Sequence, residues 1–190
     1  VRLFTAVAEQ RSCILERLVV KPKDFALATI HRAANTDDPN RLREIFGAFA
    51  DLTRELPVVL PLHPRTRAAS DPQTTKAFTA AGGKLIEPIG YFDMLMLERH
   101  AAVIVTDSGG VQKEAFFNEV PCITLREETE WTELVALGWN TLLPPAQANR
   151  LRDLAREVRG GRGKSAMPYG DGNAAAVVAQ WIAAPLTSAE

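Results

Sequence analysis

The sequence predicts a single α/β domain, a Rossmann-like parallel sheet of six strands with helices on both faces. Three observations carry that reading. Short apolar runs alternate along the chain with stretches of helical periodicity, the order that gives a parallel sheet with crossover helices. The runs, Phe25–Ile30 first among them, are continuously apolar rather than alternating, as strands covered on both faces must be. No internal repeat and no linker divides the 190 residues.

Residues 2–18 place Phe4, Val7, Ile14, Leu15 and Leu18 on one side of a leading helix that Pro22 stops. Phe25–Ile30 is the first strand. Asp38 then caps a helix with Pro39 at its first position, and Leu42, Ile45, Phe46, Phe49, Leu52 and Leu56 recur at three- and four-residue spacing. Pro57–Leu62 is the second strand. A weaker helix is expected over 66–80, ended by Gly82-Gly83. Lys84–Ile86 is a short strand, and Tyr91–His100 a helix with Met94, Leu95 and Leu97 inward. Ala102–Val105 and Pro121–Leu125 are strands, each followed by a helix, the first from Val111 to Asn118 and the second ending near Leu137. Asn140–Leu143 is the last strand. Helices over Leu151–Val158 and Asn173–Ala184 close the chain, the latter apolar on nearly every side.

A formal charge of −1 argues against a general nucleic-acid binder, which needs a basic surface. Neither a signal peptide nor a membrane span is read in the sequence, the N-terminal stretch being broken by Glu9, Arg11, Glu16 and Arg17. Cys13 and Cys122 fit no metal-ligand spacing; a buried small side chain is expected at Cys122, and a reducing cytoplasm is the simplest compartment. No cofactor or metal is expected. The chain begins at Val1 in the middle of a helical pattern, so a fragment of a longer protein is expected.

Ligands of such sheets sit beyond the carboxyl ends of the strands. The polar endings gathered there are His31-Arg32, His63-Pro64-Arg65, Gly90-Tyr91, Asp107-Ser108-Gly109-Gly110 and Arg126–Glu130. Ser108, Gly109 and Gly110 form a turn into a helix, where open N–H groups and the helix dipole receive a phosphate. About one and a half helical turns further on, Glu114 can accept two hydrogen bonds from a diol such as a ribose. The alternative is a tight turn in which Ser108 merely caps its helix. His31 and His63 read alternatively as loop hydrogen-bonders, and Arg126 with Glu130 as a surface pair worth ~0.3–0.5 kcal/mol. Lys113, Glu127 and Glu128 read as solvated charges, and Trp131 and Trp139 as core. No Gly-x-Gly-x-x-Gly follows the first strand and no Walker A motif occurs, which disfavours NAD and nucleotide hydrolysis.

Five segments in order resemble the non-hydrolysing UDP-N-acetylglucosamine 2-epimerases: Ile30-His-Arg-Ala-Ala-Asn-Thr36, Pro61-Leu-His-Pro64, Thr106-Asp-Ser-Gly-Gly-Val-Gln-Lys-Glu-Ala115, Leu125-Arg-Glu-Glu-Thr-Glu130 and Pro168-Tyr-Gly-Asp-Gly172. The resemblance runs over about 1–184, with 1–20 as the interdomain helix and 185–190 as a tail. It implies the C-terminal, UDP-binding half of a two-domain GT-B-type fold, with the N-terminal domain and its acid and base carboxylates outside this chain. It also implies elimination of UDP to a 2-acetamidoglucal and re-addition to the other face, interconverting UDP-N-acetylglucosamine and UDP-N-acetylmannosamine. His31 is then the catalytic residue, protonated as UDP leaves, with Arg32 beside the diphosphate. Ser108, Gly109 and Gly110 hold the phosphates, Glu114 the ribose, His63 lines the sugar side, and Arg126 with Glu130 forms the cleft wall. Details around Lys113, Trp131 and Trp139 resemble a branch acting on UDP-2,3-diacetamido sugar uronates, in which Lys113 could serve a substrate carboxylate; a sugar-nucleotide-binding module or glycosyltransferase half stays open. The fragment alone is expected to be inactive. Its apolar terminal helix calls for a partner, either the missing domain or a second copy in a homodimer.

Overall fold

A computed structural model describes residues 4–183. Its six strands are β1 (Ala26–Thr29), β2 (Val58–Pro61), β3 (Lys84–Ile86), β4 (Val103–Thr106), β5 (Cys122–Thr124) and β6 (Asn140–Leu142). The helices are α1 (Thr5–Arg11), α2 (Ile14–Leu18), α3 (Ala33–Thr36), α4 (Pro39–Leu52), α5 (Pro64–Ala69), α6 (Pro72–Ala80), α7 (Tyr91–His100), α8 (Gly109–Phe117), α9 (Thr132–Ala136), α10 (Leu151–Val158) and α11 (Ala174–Ala183). All strand pairs are parallel, in the order β3-β2-β1-β4-β5-β6. The order reverses between β1 and β4, and the crevice at such a reversal is where a doubly wound sheet binds its ligand.

The two faces follow from the period-two geometry of a strand. Ala26, Ala28, Val58, Leu60, Val103 and Val105 enter one core, against α4, α6 and α10. Phe25, Leu27, Val59 and Ile104 enter the other, with α1, α2, α7 and α8. Small alanines on β1 let α4 approach with its larger Phe46 and Phe49, which are 1% and 0% exposed. All six residues of the expected α4 stripe are buried, Leu56 just beyond its end, and each contributes about 1.5–3 kcal/mol. Asp38 caps that helix, accepting from Asn40 N and Arg41 N.

Several local expectations are corrected. The leading helix is broken at Ser12, whose hydroxyl donates to Asp93 on α7 at 2.5 Å, and it ends at Val19 in a left-handed conformation (φ 51°) rather than at Pro22. The helix over 66–80 is two helices. His63 and Pro64 start the first, and Asp71 caps the second, with Pro72 at its first position. Proline lacks the N–H that would continue α5. Gly82 (φ +99°) does end α6. α8 begins at Gly109, two residues before the expected Val111. Between β5 and β6 only Thr132–Ala136 is α-helical, because Thr129 and Glu130 are drawn into side-chain contacts described below. The short α3 and a 3₁₀ turn at Pro145–Arg150 were not expected; both are too short to leave a periodic signature. Cys122 is buried as expected, and burial pushes its thiol up to about 12.

α11 has no buried residue. Trp181 and Ile182 are 76% and 81% exposed, so the expected apolar surface is present. Residue 184, the expected end of that helix, and the 185–190 tail lie outside the described residues. No helix among the described residues is long and apolar enough to cross a membrane.

Candidate functional site at the strand crossover

β1 and β4 run side by side, pairing Thr29 with Thr106, and the two hydroxyls lie 2.6 Å apart. The next residues of each strand therefore emerge together. From β1 come His31 and Arg32; from β4 come Asp107 and Ser108. Asp107 is fully buried and accepts from His31 N at 3.1 Å, Arg32 N at 2.9 Å and Asn35 Nδ2 at 3.1 Å. His31 Nδ1 is 3.2 Å from Asp107 Oδ1. Burial pushes the Asp107 carboxyl up, but the His31 side chain, the Arg32 and His31 amides and Asn35 outweigh it and hold the group below the usual carboxylate range. The charge sits at the start of α3, whose N-cap is Arg32, where a helix N-terminus favours an anion.

With Nδ1 turned to Asp107, His31 presents its Nε2 edge to the open side. Its ring lies 5.1 Å from that of His63. His63 Nδ1 accepts from Arg65 N at 3.1 Å, capping α5, so one nitrogen is occupied structurally. Together His31, His63 and Ser108 edge a pocket of about 200 Å³, whose apolar side is Pro88, Ile89 and Met94.

Ser108 caps α8, but its hydroxyl is a distant 3.5 Å from Val111 N, which leaves it free to turn toward a ligand. The first-turn N–H groups of Gly109 and Gly110 point out of the helix start. At Gly109 a Cβ would meet the end of the Glu130 side chain, and Trp131 Nε1 donates to the Gly109 carbonyl at 2.9 Å. A Cβ at Gly110 would meet only Ser108 Oγ, at 3.8 Å, so that position is open to the approach of a ligand.

Arg126 and Glu130 do form a pair, at 2.6 Å, and Glu130 also lies 3.5 Å from Arg32. Glu130 thus links the ends of β1 and β5. A buried network holds it there. Gln112 Oε1 accepts from Thr129 Oγ1 at 2.6 Å and Asn140 Nδ2 at 2.9 Å, and Thr124 Oγ1 donates to Asn140 Oδ1 at 2.7 Å. Lys113, expected in solvent, instead stands 4.3 Å from the ring centres of both Trp131 and Tyr169. Trp131 is accordingly a half-buried stacking surface rather than core, whereas Trp139 is 6% exposed. Tyr169 donates to Glu133 at 2.7 Å, which ties the 159–172 loop to α9. Glu127 and Glu128 are exposed as expected.

His31, Arg32, His63, Ser108, Gly109, Gly110, Arg126 and Glu130 therefore gather at neighbouring strand ends. Glu114 lies further along α8, half-buried against α7. Asp107, Asn35 and Gln112 carry the framework, and no role was read for them in the sequence. A carboxylate at a strand end directly before Ser-Gly-Gly, facing a second strand end rich in N–H groups, was the signal available for Asp107.

Residues 3–183 match the family model described as UDP-N-acetylglucosamine 2-epimerase. A UDP-2,3-diacetamido-2,3-dideoxy-D-glucuronate 2-epimerase from Pseudomonas aeruginosa is 44% identical over 165 residues, 84% of this chain and 44% of that protein. A UDP-N-acetylglucosamine 2-epimerase from Methanococcus maripaludis is 33% identical over 93% of this chain and 49% of its own. The structure of the Methanocaldococcus jannaschii UDP-GlcNAc 2-epimerase in complex with UDP-GlcNAc and UDP matches with a TM-score of 0.79 at 32% identity, covering 95% of this chain and 51% of that one. The chain spans about half the length of these relatives. With its five segments, its sheet order and the family model agreeing over nearly its whole length, the chain belongs to the UDP-N-acetylglucosamine 2-epimerase family.

Proposed function

We propose that this chain is the UDP-binding half of a UDP-sugar 2-epimerase, acting on a 2-acetamido sugar nucleotide and inactive without the domain that completes the cleft. The observation that carries this reading is His31 held by buried Asp107 beside the open N-terminus of α8. A protonated His31 places positive charge, backed by a fixed carboxylate, where negative charge grows on the β-phosphate as the C1–O bond breaks. Ser108, Gly109 and Gly110 hold the phosphates through N–H groups and a hydroxyl, and Arg32 adds a guanidinium. The apolar pocket of Pro88, Ile89 and Met94 suits the uracil ring, and Glu114 the ribose diol. His63 faces the sugar side, with Arg126 and Glu130 as cleft wall. Removal and return of the proton at C2 falls to carboxylates of the other half, in a GT-B-type arrangement.

Two substrates fit. UDP-N-acetylglucosamine, giving UDP-N-acetylmannosamine, is supported by the family model. A UDP-2,3-diacetamido sugar uronate is supported by the 44% identity to the Pseudomonas aeruginosa relative. Lys113 is committed to Trp131 and Tyr169, which removes the simplest cation in this half for a uronate carboxylate. Incubating the full-length protein with each UDP-sugar, and following the C2 epimer and release of UDP with 2-acetamidoglucal, tests both. UDP binding without either product would point to a sugar-nucleotide-binding module or a glycosyltransferase half instead. Robust epimerisation by the 190 residues alone would overturn the division of labour.

A further inference from the structure

Glu98 is the one acidic side chain of α7 that turns inward, and it is 0% exposed. No N–H or O–H donor among the described residues reaches either of its carboxyl oxygens. The ionisable group that faces them is Glu114 on α8, a helix packed against α7. Two carboxylates offer each other only acceptors, so the contact is unfavourable unless a proton lies between them. Glu98 is the deeper of the two, fully buried where Glu114 is half-buried, so the proton belongs on Glu98.

We propose that Glu98 is a positioning residue for Glu114: it keeps its proton, donates it to one Glu114 oxygen, and so fixes the lone pairs that Glu114 presents to a ribose diol. This rests on the reading of Glu114 as the ribose ligand. Burial first, then the Glu114 charge and the hydrogen bond to it, push the Glu98 carboxyl up to about 9, so the arrangement persists at neutral pH. The other groups that face the pair do not compete for the proton. Tyr91, on the same helix, is raised by burial and then by Glu114 and Glu98. On β5 the Cys122 thiol is pushed up to about 12. Both are neutral where Glu98 is protonated. A buried carboxyl kept only for packing would be replaceable by an apolar side chain at no cost or with a gain in stability. A positioning role instead makes the apolar variant bind worse while folding as well or better.

Three proteins decide between these: wild type, Glu98→Gln and Glu98→Leu, each titrated with UDP and with its 2′-deoxy analogue. The expected result is a loss of about tenfold in UDP affinity for Glu98→Leu, the equivalent of one hydrogen bond to a charged group. Glu98→Gln, which still donates, should restore most of it. The preference for UDP over the deoxy analogue should shrink only in the leucine variant. Above about pH 9 wild-type affinity should fall relative to Glu98→Gln, which subtracts any ionisation of the uracil. Unchanged UDP affinity in Glu98→Leu, or parallel pH profiles, would overturn the proposal. Carbon-13 titration of the glutamate carboxyls reads the proton without ligand: Glu98 found ionised at pH 7 also overturns it. Absence of UDP binding by the wild type would instead strike at the reading of the pocket, and the ribose role would fall with it, while the carboxyl titration would still report on the shared proton.

Discussion

His31 Nδ1 lies 3.2 Å from Asp107 Oδ1, and the carboxylate is fully buried between the ends of β1 and β4. The imidazole is therefore aimed by a group that the ligand itself cannot touch. Asp107→Asn puts an amide where His31 N, Arg32 N and Asn35 Nδ2 all donate, leaving at least one donor facing another. We expect a loss of about 1–3 kcal/mol in stability, read as a lowered urea midpoint with unchanged slope, together with weakened UDP binding. An unaltered midpoint would refute the framework role.

The same residue sets a pH dependence. The Asp107 carboxyl is held below its ordinary value in the folded chain. Its stabilisation is complete above the unfolded value of roughly 3.9 and is lost as pH falls through the depressed one. Between about pH 4 and the acid transition the wild type should lose stability more steeply than Asp107→Asn. Identical acid limbs in chemical denaturation would show that other carboxyls govern it.

Gly109→Ala drives a methyl into Glu130. Glu130 can swing away, but only by releasing Arg126 and Arg32. The substitution should then cost much the same as Glu130→Ala, about 0.2–1 kcal/mol for exposed pairs, and the double variant should be far from additive. Additive losses would mean that the backbone of the turn, not Glu130, has moved.

Lys113 between Trp131 and Tyr169 ties α8 to the loop over 159–172. Lys113→Gln removes the charge and keeps the length. At ~0.5–2 kcal/mol of cation–π attraction, the loop should open more often, exchanging its amide hydrogens faster while β1 and β4 stay protected. Uniform change across the chain would argue for a global effect instead.

On α11, Trp181→Glu with Ile182→Lys should shift the isolated chain toward monomer in sedimentation and lower its binding of an apolar dye. In a full-length protein the same pair should loosen the contact between halves if the other domain covers this helix. A chain already monomeric and dye-free would leave that surface without the partner proposed for it.

Legibility of the sequence divides along physical lines. The β-strands and α4 were readable because burial imposes its pattern on every residue of the element: Phe25–Ile30 has no polar interruption, and the α4 stripe repeats over four turns. Asp38-Pro39 was read as a helix start, yet Asp71-Pro72 carries the same signal and was passed over inside a weak pattern. Ser12 gave no local cue, since its bond is to Asp93, 81 positions away. The site residues were collected by strand-end position and by resemblance, and neither reports what supports them. Asp107 and Gln112 act through partners distant in sequence, visible only once β1, β4, β5 and β6 stand side by side. Lys113 was misplaced for the same reason, because Trp131 and Tyr169 reach it from separate segments.

The buried Asp107 has a last consequence, for how strongly salt should matter. A diphosphate arriving at α8 meets a pocket in which the His31 ring is already turned to a buried carboxylate. Part of its hold on the anion comes from oriented N–H dipoles fixed at the start of α8. Oriented dipoles carry no net charge and are less affected by mobile ions, whereas a surface of free lysines and arginines loses its grip as the Debye length shortens. The half-site should therefore keep its nucleotide at ionic strengths that would strip it from a simply basic patch.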